Sequence, residues 1–104
     1  MTLTELEAIV QERAAASPEE SWTAKLLAKG TQAIAQKVGE EAVETALAAM
    51  ADAGTLADEA ADLLYHLVVL LHAKGVVVAD VMSVLDARTG RSGLAEKEAR
   101  GGDG

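Results

Sequence analysis

At 104 residues the chain is the size of one ordinary domain. With no cysteine it can hold neither a disulfide nor a thiolate nucleophile or metal ligand. Nine basic against 17 acidic residues leave a net charge of −8, which argues against nucleic acid as a partner but not against a phosphate substrate accompanied by a divalent cation.

Half of the residues are apolar, yet with no Phe, one Tyr and one Trp they are nearly all Ala, Leu and Val. A core this thin gains from a partner subunit, so an oligomer is expected. The N-terminal MTLTELEAIV lacks a basic stretch followed by an apolar run, so no secretory signal is expected. Apolar runs such as Leu67 to Leu71 fall far short of the ~20 residues of a membrane span. A cytoplasmic protein with no membrane partner is the expectation.

The predicted elements are all helical. The first helix runs from Thr2 to Ala16, with Thr2 or Thr4 as cap, acids Glu5 and Glu7 in its first turn, and Leu3, Leu6, Ile9 and Val10 at helical spacing. Ser17-Pro18 breaks it or begins the next element, since Ser17-Pro18-Glu19-Glu20 reads as a cap with Pro at the first helical position. Ser21 to Lys29 is a short helical segment that Gly30 stops.

Thr31 to Ala51 is a long helix whose apolar set is Ile34, Val38, Val43, Leu47 and Met50. Gly39 inside it costs about 1 kcal/mol relative to alanine, which fits either close packing or ligand access beside Glu40. A turn at 52–54 leads to a second long helix, Thr55 to Lys74, ended by Gly75. The short link requires these two helices to lie antiparallel. A last helix spans Val78 or Ala79 to Arg88; the alternative of a strand at 76–78 has no partner strand. The expectation is one all-α domain over 1–89, an antiparallel bundle of about four to five helices completed by homodimerisation. Residues 90–104, rich in glycine and charge, are expected to form a flexible tail.

Chemistry concentrates on the two long helices. At about 100° per residue, Glu40, Glu41 and Glu44 share one arc of about 100°. Like charges so close repel and raise each other's proton affinity, a cost that a bound cation offsets. The other reading is a solvated acidic face. Glu59 and Asp62 form a second acidic pair, about 60° apart at the edge of the apolar sector of their helix. In an antiparallel pair, Glu44 comes level with Glu59 and Glu41 with Asp62 to within a few Å.

An all-carboxylate site favours magnesium, with manganese as a plausible substitute. His66 fits packing or hydrogen bonding better than a ligand role, and His72 a surface or helix-end position. Neither acid pair carries the Glu-x-x-His spacing of a di-iron bundle. A second constellation is Ser21-Trp22-Thr23-Ala24-Lys25 with Lys37. Hydroxyls and amides at a helix start can hold phosphate, lysines add charge, and Trp22 fits either the core or a wall against a base or sugar. There is no phosphate-binding GxxxxGK[ST] loop.

Taken together, SWTAKLLAKG at 21–30, KVGEEAVETALAA at 37–49 and LADEAADLLYHLVVLL at 56–71 resemble the phosphoribosyl-ATP pyrophosphatase family of the all-α nucleotide pyrophosphohydrolase superfamily. The superfamily pattern EExxE followed by ExxD falls on Glu40, Glu41, Glu44, Glu59 and Asp62. The resemblance implies that these acids bind magnesium and position a water. It also implies a homodimer in which helices of both chains complete each site, and cleavage of phosphoribosyl-ATP between its α and β phosphates. Trp22 stands where tyrosine is common, a change that keeps a flat ring with one donor. Alternatives are a housekeeping pyrophosphatase acting on unwanted nucleoside triphosphates, which the 21–30 segment matches less well, and a non-enzymatic helical interaction module.

Overall fold

A computed structural model describes residues 1–90 and, among them, contains five helices and no strand: α1 (Leu3–Ala14), α2 (Trp22–Lys29), α3 (Thr31–Ala48), α4 (Ala53–Ala73) and α5 (Val78–Thr89). The flexible tail expected over 90–104 lies, beyond Gly90, outside the described residues.

Local sequence sets the ends of these helices. Thr2 caps α1 in a reciprocal box, accepting from the Glu5 amide at 3.1 Å while the Glu5 carboxylate accepts from the Thr2 amide at 3.0 Å. The Ser17-Pro18 cap does not form: 17–20 is a turn, and Ser21 caps α2 by accepting from the Ala24 amide at 3.1 Å. Gly30 alone joins α2 to α3 at φ +97, a conformation that favours glycine. The turn expected at 52–54 lies earlier, at 49–52, because α3 ends at Ala48 and Asp52 caps α4 directly, so that the helix begins at Ala53.

The end of α4 is a Schellman motif. Gly75, at φ +72, donates to His72 O at 3.1 Å and Val76 donates to Leu71 O at 2.9 Å. This turn swings α5 away at 108° to α4. The residues 76–78 expected to favour a helix start over a strand do so, with Val77 at the N-cap.

The short link at 49–52 folds α4 back on α3, and these two helices share the largest interface of the molecule. Every helix contributes to one core: Val10 from α1, Leu26 from α2, Ile34 from α3, Val68 and Val69 from α4, and Val78 from α5. The core therefore sits where α3 begins and α4 ends. The opposite half of the hairpin projects beyond it, and there the later members of the α3 apolar set are exposed. Val43, Leu47 and Met50 are 60, 66 and 87 % exposed. Close packing within the chain does not explain Gly39 either, since a Cβ there would meet nothing within 4 Å. Among the described residues no helix is long and apolar enough to cross a membrane.

Candidate functional site

The hairpin brings acids of its two helices together just beyond the core. One carboxylate oxygen each from Glu41, Glu44 and Glu59 lies within 4.8 Å of the others. Glu41 is buried, Glu59 half-buried and Glu44 exposed. The buried Oε2 atoms of Glu41 and Glu59 have no hydrogen-bond partner. Buried acceptors without donors cost free energy, and here two of them face one acidic cluster. Glu41 crowds the Glu44 carboxyl and pushes its pKa up; lost hydration and then Glu59 act in the same direction. Among the described residues the cation paired with the cluster is Lys37, whose Nζ lies 3.5 Å from Glu41 Oε1. An all-oxygen set with orphaned lone pairs and excess negative charge fits a hard divalent cation.

The other predicted acids stand apart from this cluster. Asp62 is exposed, and its backbone carbonyl lies 2.7 Å from His66 Nδ1 one turn on in α4. Because a carbonyl only accepts, Nδ1 carries the proton and Nε2 is left as a buried acceptor without a partner. His66 thus has the packing and hydrogen-bonding surroundings expected of it, and His72 is exposed near the end of α4. Glu40 is also exposed and accepts from Gln36 Nε2 at 3.2 Å.

A cleft of about 280 Å³ adjoins the acids, lined by Trp22, Leu26, Lys29, Ala33, Gln36, Lys37 and Glu40. Trp22 is 50 % exposed. It is therefore a wall, not part of the core, and Lys29 Nζ lies 5.3 Å from its ring centroid. Lys25, also proposed from sequence for phosphate, is exposed and lines neither this cleft nor the neighbouring one beside Trp22. Lys29 occupies the cleft instead. Its spacing of seven residues from Trp22, two helical turns, was the available signal.

The hydroxyls of the segment are already engaged within the chain. Ser21 Oγ accepts from Ala24 and donates to Arg13 O at 2.9 Å, and Thr23, 1 % exposed, shares a hydrogen bond with the Tyr65 hydroxyl. Both hydroxyls fasten the start of α2, and so Trp22, to α1 and α4.

Residues 3–89 match the family model described as phosphoribosyl-ATP pyrophosphohydrolase. The chain is 57 % identical over 100 residues to the phosphoribosyl-ATP pyrophosphatase of Agrobacterium fabrum, covering 95 % of this chain and 94 % of that protein. It is 56 % identical over 103 residues to that of Cereibacter sphaeroides, covering 97 and 100 %, and 58 % identical over 100 residues to that of Rhizorhabdus wittichii, covering 95 and 94 %. The chain belongs to the phosphoribosyl-ATP pyrophosphohydrolase family of hydrolases.

Proposed function

We propose that the protein hydrolyses phosphoribosyl-ATP to phosphoribosyl-AMP and pyrophosphate, an early step of L-histidine biosynthesis, as a magnesium-dependent cytoplasmic homodimer. The observation that carries the chemistry is the convergence of Glu41, Glu44 and Glu59, with orphaned buried oxygens, beside a lysine-lined cleft.

Glu41, Glu44 and Glu59 hold magnesium, or manganese in its place, and Asp62 joins them from the next turn of α4. When bound, the cation supplies charge neutralisation at the triphosphate. Lys37 and Lys29 meet phosphate oxygens and stabilise the charge that develops on them and on the leaving pyrophosphate. Glu40, on the cleft wall, orients the attacking water together with whichever oxygens of Glu41 and Glu44 remain free. Trp22 offers its face to the nucleotide, and Ser21 and Thr23 hold that ring in place. The new P–O bond forms from water as the α–β bridge breaks, and the water's proton passes to a carboxylate.

The second copy of the chain covers the exposed stripe of Val43, Leu47 and Met50. Gly39 lies one turn before Val43 on that stripe, where the lack of a side chain lets another backbone approach.

The test is pyrophosphate release from phosphoribosyl-ATP with and without magnesium, with ATP and dCTP for comparison. Metal-dependent release from phosphoribosyl-ATP is expected. Turnover of dCTP without turnover of phosphoribosyl-ATP would keep the site and overturn the substrate.

A further inference from the structure

A larger cleft of about 620 Å³ opens on the α1 side of Trp22, lined by Arg13, Ala16, Glu20, Ser21, Thr23 and Tyr65 together with the indole itself. Trp22 is the residue common to both clefts and divides them. Tyr65 follows Glu59 by six residues on α4, so this second cleft lies about 9 Å along that helix from the clustered acids.

Its hydroxyls on Ser21, Thr23 and Tyr65 are engaged within the chain, but its two charged groups are not. Arg13 is engaged through its backbone carbonyl, which the Ser21 hydroxyl fixes against the start of α2. Among the described residues its guanidinium makes no ion pair or hydrogen bond, although Glu20 lines the same cleft. An unpaired guanidinium binds phosphate oxygens in a two-pronged fork. A free carboxylate only accepts, which suits a pair of sugar hydroxyls. A guanidinium and a carboxylate held apart beside a flat ring match a ligand that carries both an anionic phosphate and a diol.

The proposed substrate has such an end. Opposite its triphosphate it carries a ribose with free hydroxyls and a terminal phosphomonoester. Resting on that reading of function, we propose that this cleft is the specificity site for the phosphoribosyl group: Arg13 binds its phosphate, Glu20 its hydroxyls, and Trp22 separates it from the triphosphate in the lysine-lined cleft. This assigns to Arg13 the discrimination between phosphoribosyl-ATP and ATP.

Arg13 also sits in the last turn of α1, where any cation favours the helix dipole. The experiment must separate that role from binding. R13Q and R13K are compared with wild type for pyrophosphate release from phosphoribosyl-ATP, for inhibition by inorganic pyrophosphate, and for thermal stability. R13Q is expected to raise KM at least about tenfold with kcat within about threefold, R13K to recover part of the loss, and pyrophosphate inhibition to stay unchanged. An unchanged KM, with or without a lower melting temperature, overturns the assignment. So does an equal weakening of pyrophosphate inhibition, which would place Arg13 at the triphosphate. If wild type itself releases no pyrophosphate from phosphoribosyl-ATP, the functional reading fails and this assignment with it. A wild type that is active while R13Q is unaltered removes Arg13 alone.

Discussion

Glu41→Gln keeps the shape of a buried side chain and removes one of three crowded charges. The Glu41 and Glu59 oxygens lie no more than 4.8 Å apart. Two unit charges at that distance repel by about 3.5 kcal/mol at an effective dielectric of about 20 and by about 0.9 kcal/mol in bulk water. The substitution also removes the Lys37 contact, an i,i+4 pair whose lysine is 39 % exposed; such pairs contribute roughly 0.3–0.5 kcal/mol. Repulsion wins, and the metal-free variant should be more stable than wild type by about 0.5–3 kcal/mol. At about 4–8 °C per kcal/mol for a domain of this size, the melting temperature rises by at least about 2 °C.

Turnover should move the other way. A loss of at least about a hundredfold corresponds to about 2.7 kcal/mol of transition-state stabilisation. Stabilisation by added magnesium, about 2.7 kcal/mol in wild type at a concentration of about 100 Kd, should largely disappear. The assay is differential scanning calorimetry with and without magnesium at one protein concentration, alongside pyrophosphate release. A variant that melts lower than metal-free wild type and still turns over normally would refute the reasoning, since repulsion relieved by a cation would then not describe this cluster.

Glu44→Gln, at the exposed corner of the cluster, should also cost at least about a hundredfold in turnover while the fold survives, as checked by circular dichroism and steady-state assay. Lys29→Ala should raise KM more than it lowers kcat, whereas Lys25→Ala, outside both clefts, should change either by less than about threefold. Leu47→Glu places a charge on the exposed apolar stripe and should halve the mass measured by sedimentation at micromolar concentration; an unchanged dimer would move the interface elsewhere. Asp52 is held below the ordinary aspartate range first by the backbone amide of Thr55 and then by its hydroxyl. A lowered native pKa contributes stability that is present above the unfolded value of about 3.8 and is lost as pH falls through the native one. Asp52→Ala should therefore melt below wild type at neutral pH, and the gap should close as acid protonates Asp52; a gap constant down to pH 2 would show that the cap acts without its charge.

Much of this was legible because local rules dominate helices. Thr2, Gly30 and Gly75 end or begin elements where their chemistry requires, and the level of Glu44 with Glu59 follows from helical rise in an antiparallel pair. What failed depended on tertiary context. Period alone marks Val43, Leu47 and Met50 as apolar, but it cannot say whether the protein's own helices reach them, and the thin core ends near Ile34. Ser21 and Thr23 look like free phosphate ligands until the fold supplies Arg13 O and the Tyr65 hydroxyl as partners. Lys25 and Lys29 are equivalent by composition; only their angle about α2 relative to Trp22 separates them.

The start of α5 has a consequence for the order in which the molecule assembles. Val77 offers no side-chain cap, and the first amide of the helix, Val78, donates instead to Glu7 Oε2 of α1 at 2.7 Å. A helix whose opening donor is satisfied by a distant carboxylate has little reason to hold its first turn alone. On the ribosome, α1 is made first, but Glu7 meets its acceptor role only after residue 78 has emerged. Closing that span carries a loop entropy that grows only logarithmically with length, so the delay is one of synthesis more than of search. Until then Val10 and Leu6 lack Val78 as a neighbour in the core. Emergence of residue 78, not formation of the longest helices, is thus the step that seals the domain. The Val78 amide should report it, exchanging with solvent faster in Glu7→Ala while amides in the middle of α4 remain protected.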